Sequence, residues 1–245
     1  MAGNIRRFFS NVICGTIPNR DTRRRVRVVL NSDMASHLRF IRRDLGVPLH
    51  NVRTFVGYLA RSLLISVNNK YIYKFPLRRD NSDDLALREK RIVDALAPLS
   101  PIGIPSIDIL AYNGRLVRKY DFVNGVQLRK CTPSWIRENQ DVIAAQLARF
   151  IYVVGYVNPP EIADLKTSPN AQPGYRYGWT QGDIYDNFLI DIKTKQIVAV
   201  IDWEDAYFGD FTTVFTKDQD PIAHEFMSRV LSEYDRLYYK TDCNQ

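Results

Sequence analysis

The stretch Gly178-Trp-Thr-Gln-Gly-Asp-Ile-Tyr-Asp-Asn187, followed by Ile201-Asp-Trp-Glu-Asp205, decides the fold of this chain. Between these segments lie Phe188-Leu-Ile-Asp191 and Gln196-Ile-Val-Ala-Val-Ile201, two runs rich in residues that favour β-strands. A polar Lys-Thr-Lys sequence separates the two runs, as expected for a turn. The pattern predicts a β-hairpin with Asn187 at its start and Asp202 at its end.

Asp183, Asn187 and Asp202 are the polar residues that belong to this predicted hairpin. Asp183 precedes Asn187 by four residues, and Asp202 follows Asn187 by fifteen. One carboxylate can accept a proton from a hydroxyl group, and the amide and the second carboxylate can hold Mg²⁺, which prefers oxygen ligands. Phosphoryl transfer needs such a set because its catalysis consists mainly of positioning and neutralisation of phosphate charge. The alternative is an ordinary hairpin whose Asp and Asn residues only form turns.

The same residues resemble the catalytic and metal-binding loops of the aminoglycoside phosphotransferase and choline kinase families, small-molecule relatives of the protein kinases. The family pattern is His-Gly-Asp, an Asn in the same loop, a short hairpin, and then Ile-Asp-Trp/Phe-Glu. Gln181 stands where the family usually has His, which mainly braces the loop, and a Gln amide can hydrogen-bond in its place. The resemblance implies that Asp183 is the catalytic base and that Asn187 and Asp202 hold Mg²⁺.

A kinase-like fold also needs a Lys on a strand of an N-terminal sheet and a Glu on the following helix. Ser62–Val67 and Tyr71–Phe75 are strand-like and flank an Asn-Asn-Lys turn, which places Lys74 near a strand end. Residues Asp83–Ala97 show helical spacing behind an acidic first turn and contain Glu89. The resemblance implies that Lys74 binds the α- and β-phosphates of ATP and that Glu89 braces it. The alternative is that both are solvated surface residues.

Two further segments are expected to contact the nucleotide. Gly57 is the only glycine of the loop that would cover the phosphates, although an ordinary hairpin loop fits the same residues. The segment Gly114–Gly125 resembles the strand and hinge that connect the two lobes of a kinase. In that position the backbone around Arg118 and Tyr120 would meet an adenine edge.

These elements together predict a bilobal α+β fold of the protein-kinase type. Residues 46–120 would form an N-terminal lobe on an antiparallel sheet, and residues 121–245 a mainly helical C-terminal lobe with the catalytic hairpin, behind a basic segment at 1–45. The length of 245 residues is sufficient for two small lobes. Three scattered cysteines indicate neither a disulfide framework nor a metal cluster, which fits the reducing cytoplasm.

Positive charge is concentrated at the start of the chain. Residues 1–43 carry ten Arg and two Asp. Phe8, Phe9, Val12 and Ile13 can share one helix face beside these arginines, which suits the headgroup region of an anionic membrane. The opening also resembles those of bacterial enzymes that build surface polysaccharide and lipopolysaccharide. A basic arm that packs on its own domain is the alternative, and nucleic-acid binding is disfavoured because no stacking aromatics alternate with the arginines.

The sequence therefore predicts a kinase, dependent on ATP and Mg²⁺, that phosphorylates a hydroxyl group of a small molecule or glycan. The basic opening favours a sugar of bacterial lipopolysaccharide or another surface glycolipid, with residues 1–27 in peripheral contact with the inner face of the cytoplasmic membrane. Choline, ethanolamine or an aminoglycoside is the alternative acceptor, and acids and aromatics such as Tyr185, Trp203, Asp205 and Tyr207 would line its pocket. A nucleotide-binding pseudokinase scaffold is the rival interpretation, because of Gln181 and the glycine-poor loop.

Overall fold

A computed structural model describes residues 19–57, 61–77, 81–166, 176–215 and 220–242. The chain divides into two compact units, Met1–Ala86 with Ile107–Phe122, and Leu87–Ser106 with Val123–Gln245. The predicted apolar face of Phe8, Phe9, Val12 and Ile13 lies outside the described residues. Helices and antiparallel sheets are both present, and the predicted α+β class is confirmed.

The first unit is an antiparallel sheet of five strands with helices at its start. Its strands follow the order β1-β2-β3-β5-β4 across the sheet. The predicted strands at residues 62–67 and 71–75 are confirmed, the second being one residue longer than expected. The elements are α1 (Arg20–Asn31), α2 (Met34–Leu45), β1 (Arg53–Val56), β2 (Ser62–Val67), β3 (Tyr71–Pro76), α3 (Ser82–Leu96, which continues into the second unit), β4 (Ile107–Tyr112) and β5 (Arg115–Asp121).

Asparagines form the turn between β2 and β3. Asn68 and Asn69 have φ of 58° and 50°, in the left-handed region that Asn tolerates better than most residues. The Asn68 carboxamide also accepts a hydrogen bond from the His50 N–H at 2.7 Å and donates one to the Pro48 carbonyl at 3.2 Å. The turn is thereby tied to the segment that precedes β1.

Helix α2 supplies part of the core of the first unit. Ile41 is fully buried in one cluster with residues of β2, β3 and β5, namely Leu63, Ile65, Val67, Tyr73, Phe75 and Val117. The Tyr73 hydroxyl donates to Asp44 at 2.5 Å, and Lys119 lies 3.0 Å from the same carboxylate. Burial, and then the hydrogen bond to Asp44, raise the pKa of Tyr73 above its ordinary range. Residues 34–45 thus pack on the sheet of their own unit.

The second unit consists of two long helices with short strands. Its elements are β6 (Val126–Gln127), α4 (Pro133–Tyr156), β7 (Tyr177–Thr180), β8 (Phe188–Asp191), β9 (Gln196–Val200), β10 (Tyr207–Asp210) and α5 (Pro221–Asp242). The strands form a sheet of order β6-β8-β9 and a separate pair of β10 with β7. None of the described helices combines the length and the apolar character needed to cross a membrane.

Helix α4 forms a large part of the buried core of the second unit. Its buried residues recur at helical spacing, among them Ile143, Leu147, Phe150, Ile151 and Val154. Strand β7 approaches this helix closely at Gly178, where an added Cβ would clash with the Gly155 carbonyl. Only glycine allows this approach, which places the end of β7, and hence the residues that follow it, against α4.

Candidate active site

The predicted hairpin is confirmed and brings Asn187 and Asp202 to the same end. Phe188 of β8 pairs with Val200 of β9, and the Ile201 N–H donates to the Asn187 carbonyl at 2.8 Å. Asn187 therefore directly precedes the hairpin and Asp202 directly follows it. The pairing fixes the spacing of the two residues independently of their side chains.

Gln181 connects the loop of Asp183 to the loop of Asp202. Its Nε2 donates to the carbonyls of Ile201 and Asp202, at 3.1 and 2.6 Å, and its Oε1 accepts the Asp183 N–H at 2.9 Å. The side chain is 2 % exposed, so these three bonds take the place of the hydrogen bonds that its amide would otherwise make with water. The Gln amide thus performs the bracing role that the resemblance assigns to His.

Asp183 and Asn187 are linked within one tight loop. The Asn187 Nδ2 donates to the Asp183 carbonyl at 3.0 Å, which turns the amide oxygen away from that contact. Gly182 between Gln181 and Asp183 has φ of +92°, and a Cβ there would lie 2.7 Å from the Asp205 carbonyl. A residue with a side chain would be strained at this position and would also displace the neighbouring segment. Asp183 itself is half-buried.

Asp202 occupies a strained backbone conformation at the start of a short 3-10 turn, Trp203–Asp205. Its φ of 59° and ψ of 68° lie in the left-handed region, which is uncommon for Asp and typical of functional sites when the surroundings enforce it. Its exposed side chain does not cap the turn that follows. Instead, the Glu89 Oε1 accepts the Trp203 N–H at 3.1 Å. Glu89 is fully buried, so the interpretation of Glu89 as a surface residue is wrong.

Mg²⁺ fits the oxygen groups of Asn187 and Asp202. Within the described residues, no group of three or more His, Cys, Asp or Glu side chains forms a metal cluster. One exposed carboxylate and one amide oxygen are a smaller set, and they match the way Mg²⁺ is commonly held, by one or two protein oxygens together with water and phosphate. The donor set argues against zinc, which prefers nitrogen and sulfur ligands.

Lys74 and Arg118 are buried on neighbouring strands of the first unit. Lys74 of β3 is directly opposite Arg118 of β5, and their side chains are 5 % and 4 % exposed. Residues directly opposite each other in an antiparallel pair have their side chains on the same face. Two cations are therefore adjacent in a buried setting that favours anionic partners. The alternative of a solvated Lys74 is wrong, whereas its pairing with Glu89 stays a prediction.

Arg118 and Tyr120 lie on a strand that is paired on both sides. Strand β5 lies between β3 and β4, so Arg118 pairs with Lys74 and Ile109, and Tyr120 pairs with residues on both sides as well. Their contact with an adenine edge stays a prediction. Gly57 follows β1, and its N–H donates to the Ser62 carbonyl at 2.9 Å, while residues 58–60 of its loop lie outside the described residues.

Two residues expected to line the acceptor pocket belong to the core instead. Trp203 is 1 % exposed and donates through Nε1 to the Val200 carbonyl, and Tyr185 is 7 % exposed. Asp205 is exposed and Tyr207 half-buried, so these two stay available to a ligand. Aromatic residues near a catalytic motif can equally pack beneath it, and the sequence does not distinguish the two cases.

The fold is similar to that of aminoglycoside and macrolide phosphotransferases of known structure. The chain is similar to aminoglycoside 2′-phosphotransferase IIIa in its GDP complex, with a TM-score of 0.71, 17 % identity and 83 % of each chain covered. A streptomycin–ATP complex of APH(2″)-IIa aligns with a TM-score of 0.63 and 15 % identity over 84 % of this chain and 82 % of that one. A macrolide 2′-phosphotransferase from Brachybacterium faecium aligns with a TM-score of 0.58 and 17 % identity over 82 % of each chain.

No protein-family model and no curated protein sequence matches the chain. The predicted resemblance to aminoglycoside phosphotransferases is confirmed at the level of the fold. The structure brings Asp183, Asn187, Asp202 and Glu89 into one hydrogen-bonded region of the second unit, and Lys74, Arg118, Tyr120 and Gly57 lie in the first.

Proposed function

We propose that this chain is a nucleoside-triphosphate-dependent kinase that phosphorylates a hydroxyl group of a small molecule or glycan. The observation that carries the proposal is the Gln181 amide, whose three hydrogen bonds hold Asp183 and Asp202 in fixed relation. A hairpin with incidental polar turns needs no such buried brace between its two ends. The fold, shared with phosphotransferases, is independent support.

Each residue of the site has a role in this proposal. Asp183 orients the acceptor hydroxyl and accepts its proton, while Asn187 and Asp202 hold Mg²⁺. When bound, the metal neutralises charge on the phosphates. Lys74 supplies a cation for the α- and β-phosphates, and the buried guanidinium of Arg118 adds a second cation beside it. The adenine edge, in turn, falls to residues after Tyr120, where pairing with β4 ends.

The nucleotide of choice is ATP, with GTP as the competitor to be tested. Aminoglycoside 2′-phosphotransferase IIIa was solved as a GDP complex in its wild-type form and as a point mutant, and APH(2″)-IIa was solved with ATP. The described residues to which the proposal gives a role would contact the phosphates, the metal or the acceptor, and none of them distinguishes the two bases. Both nucleotides are therefore compared in the same assay.

A sugar hydroxyl is the acceptor class that the proposal favours. Solved complexes of the structural neighbours contain kanamycin or gentamicin, both of which carry sugars. We extend the proposal to a sugar of a bacterial surface glycolipid such as lipopolysaccharide, because the arginines of residues 1–27 would bring the enzyme to an anionic membrane. A pseudokinase that binds nucleotide without transfer is the competing outcome.

The proposed function is tested by measuring turnover of ATP and GTP at several Mg²⁺ concentrations. The acceptor panel contains aminoglycosides, macrolides, choline and lipopolysaccharide sugars.

The Asp183→Asn variant removes the proton acceptor at almost constant volume. We expect it to lower turnover by roughly a hundredfold or more, the scale of general-base loss, with nucleotide affinity nearly unchanged. Asp202→Ala is expected to abolish the Mg²⁺-dependent part of nucleotide binding in calorimetry. Nucleotide binding without transfer to any acceptor would favour the pseudokinase.

A further inference from the structure

Two consecutive residues of α3 hold the short turn that follows Asp202. Glu89 accepts the N–H of Trp203, at the beginning of the turn. Arg88 donates through Nη2 to the Ala206 carbonyl at 2.5 Å and through Nη1 to the Glu204 carbonyl at 3.4 Å, at the end of the turn. The acidic side chain therefore contacts the amino end of the turn and the basic side chain its carboxyl end. Opposite charges at these two ends complement the orientation of the peptide dipoles.

The guanidinium of Arg88 is matched to this place by its chemistry. Carbonyls at the end of a helical turn lack partners within the turn, and the fork of Arg can satisfy two of them at once. The side chain is half-buried, and burial lowers its pKa below the ordinary value, an effect that the nearby Asp205 carboxylate partly offsets. Arg still keeps its charge at any physiological pH, because its side chain is not deprotonated in proteins.

The left-handed backbone of Asp202 makes this support consequential. Its conformation is unfavourable for a residue other than Gly and persists only when surrounding contacts over-determine it. Three contacts do so: Gln181 to the Asp202 carbonyl, Glu89 to the next N–H, and Arg88 to the carbonyls beyond. Gln181 and Glu89 occupy positions that the resemblance already singled out. Arg88 has no assigned role.

We propose that Arg88 is a positioning residue for the metal site, holding the Glu204 and Ala206 carbonyls so that the Asp202 carboxylate keeps one orientation toward Mg²⁺. The inference rests on the proposed kinase function, which requires Mg²⁺ at Asp202. It predicts that loss of Arg88 lowers the affinity for Mg²⁺ while the protein still folds. Partners that orient a metal ligand without touching the metal commonly contribute ten- to hundredfold to metal affinity.

Arg91, one turn further along α3, provides a matched control. It also forms a two-nitrogen contact, with the Asp164 carboxylate at 2.6 and 3.0 Å, and its partner is at the exposed surface of the same unit. Arg88→Gln and Arg91→Gln make the same chemical change in the same helix. Arg88→Lys keeps the charge but replaces the planar fork with a single ammonium group.

The experiment measures ATP binding by calorimetry over a series of Mg²⁺ concentrations in the full-length protein and the three variants. We expect the Mg²⁺ concentration for half-maximal binding to rise about tenfold or more in Arg88→Gln, less in Arg88→Lys, and not at all in Arg91→Gln. Amide hydrogen exchange of residues 201–207, without nucleotide or metal, reports the turn itself. It is expected to accelerate in Arg88→Gln, less in Arg88→Lys, and not in Arg91→Gln.

The outcomes separate the inference from the function. Unchanged exchange at residues 201–207 in Arg88→Gln, or an unchanged Mg²⁺ dependence in both Arg88 variants, overturns the role of Arg88. If the wild-type protein binds ATP without any Mg²⁺ dependence, the proposed kinase function fails instead, and the exchange data then show whether Arg88 holds the turn. If Arg88→Gln does not fold, Arg88→Lys decides through the same two measurements.

Discussion

Gln181 differs from the His usual at this position in a way that matters for pH. A carboxamide offers two donors and one acceptor at every pH, and the structure uses all three. A neutral imidazole has only one donor and one acceptor, and a protonated one has no acceptor. The brace of this loop therefore does not titrate.

Substituting Gln181 tests the brace directly. Gln181→Glu keeps the shape and the acceptor but replaces the donors with an oxygen facing two carbonyls. We expect it to lower the unfolding free energy by about 2 kcal/mol or more, since buried groups without partners cost about 1–3 kcal/mol each. Urea unfolding followed by Trp fluorescence measures this loss. A variant as stable as the wild type would show that the two donated bonds contribute nothing.

Gln181→His gives the pH prediction. The neutral imidazole can accept the Asp183 N–H, but the imidazolium cannot, so activity should fall as pH drops through the imidazole pKa, ordinarily about 6.5. The wild-type pH profile should lack this step. Parallel profiles for both proteins between about pH 5 and pH 8 would contradict the assignment of the acceptor bond to Gln181.

At the scale of elements, the sequence predicted what local patterns determine. The hairpin at residues 188–200 and the helix around Glu89 are set by alternation, turn residues and helical spacing, and both lie within a residue or two of their expected bounds. The pairing of Arg118 within the sheet was not predicted, because the position of β5 between β3 and β4 depends on long-range pairing. Arg88 was overlooked for the same reason: its carbonyl partners are more than a hundred residues away in sequence.

The contact of β7 with α4 yields a prediction for Gly178. A methyl group there would clash with the Gly155 carbonyl, and neither backbone can move without disturbing the other element. We expect Gly178→Ala to lower the unfolding free energy by about 2 kcal/mol or more, in the range of overpacked sites. Gly46→Ala is the control, since its site has open space and only a φ of +66°, which costs about 1 kcal/mol. Equal losses in chemical unfolding would argue against the close approach.

At the scale of the whole molecule, the concentration of positive charge in residues 1–43 is the feature that a membrane experiment can test. Deleting residues 1–27 would remove the first part of α1, whose Val29 packs against the buried cluster of the first unit. The membrane proposal is therefore better tested by substitution than by deletion. Arg20, Arg25 and Arg27 are exposed on α1, and changing all three to Gln removes three charges while keeping the helix. Arg137, Arg149 and Arg236, exposed elsewhere, give a control with the same change in net charge.

Sedimentation with vesicles rich in anionic lipid at low salt measures the effect. Each Arg near the headgroups contributes about 1 kcal/mol, so the α1 triple variant should bind roughly a hundredfold more weakly, and the control variant close to normally. Salt should reduce wild-type binding by screening. Equal binding by the two variants would remove the membrane contact, and with it the main support for a glycolipid acceptor.

The anchoring of α2 sets a limit on how far the protein can be trimmed for fusion or crystallisation. A version beginning after residue 45 would lack Ile41 and Asp44. Apolar side chains on one face of the sheet would then be exposed to solvent, and Lys119 would lose its nearest carboxylate. Such a fragment is a candidate for aggregation rather than a minimal enzyme. A junction at or before Asp33, whose side chain accepts the Ser36 N–H at the start of α2, keeps that helix intact.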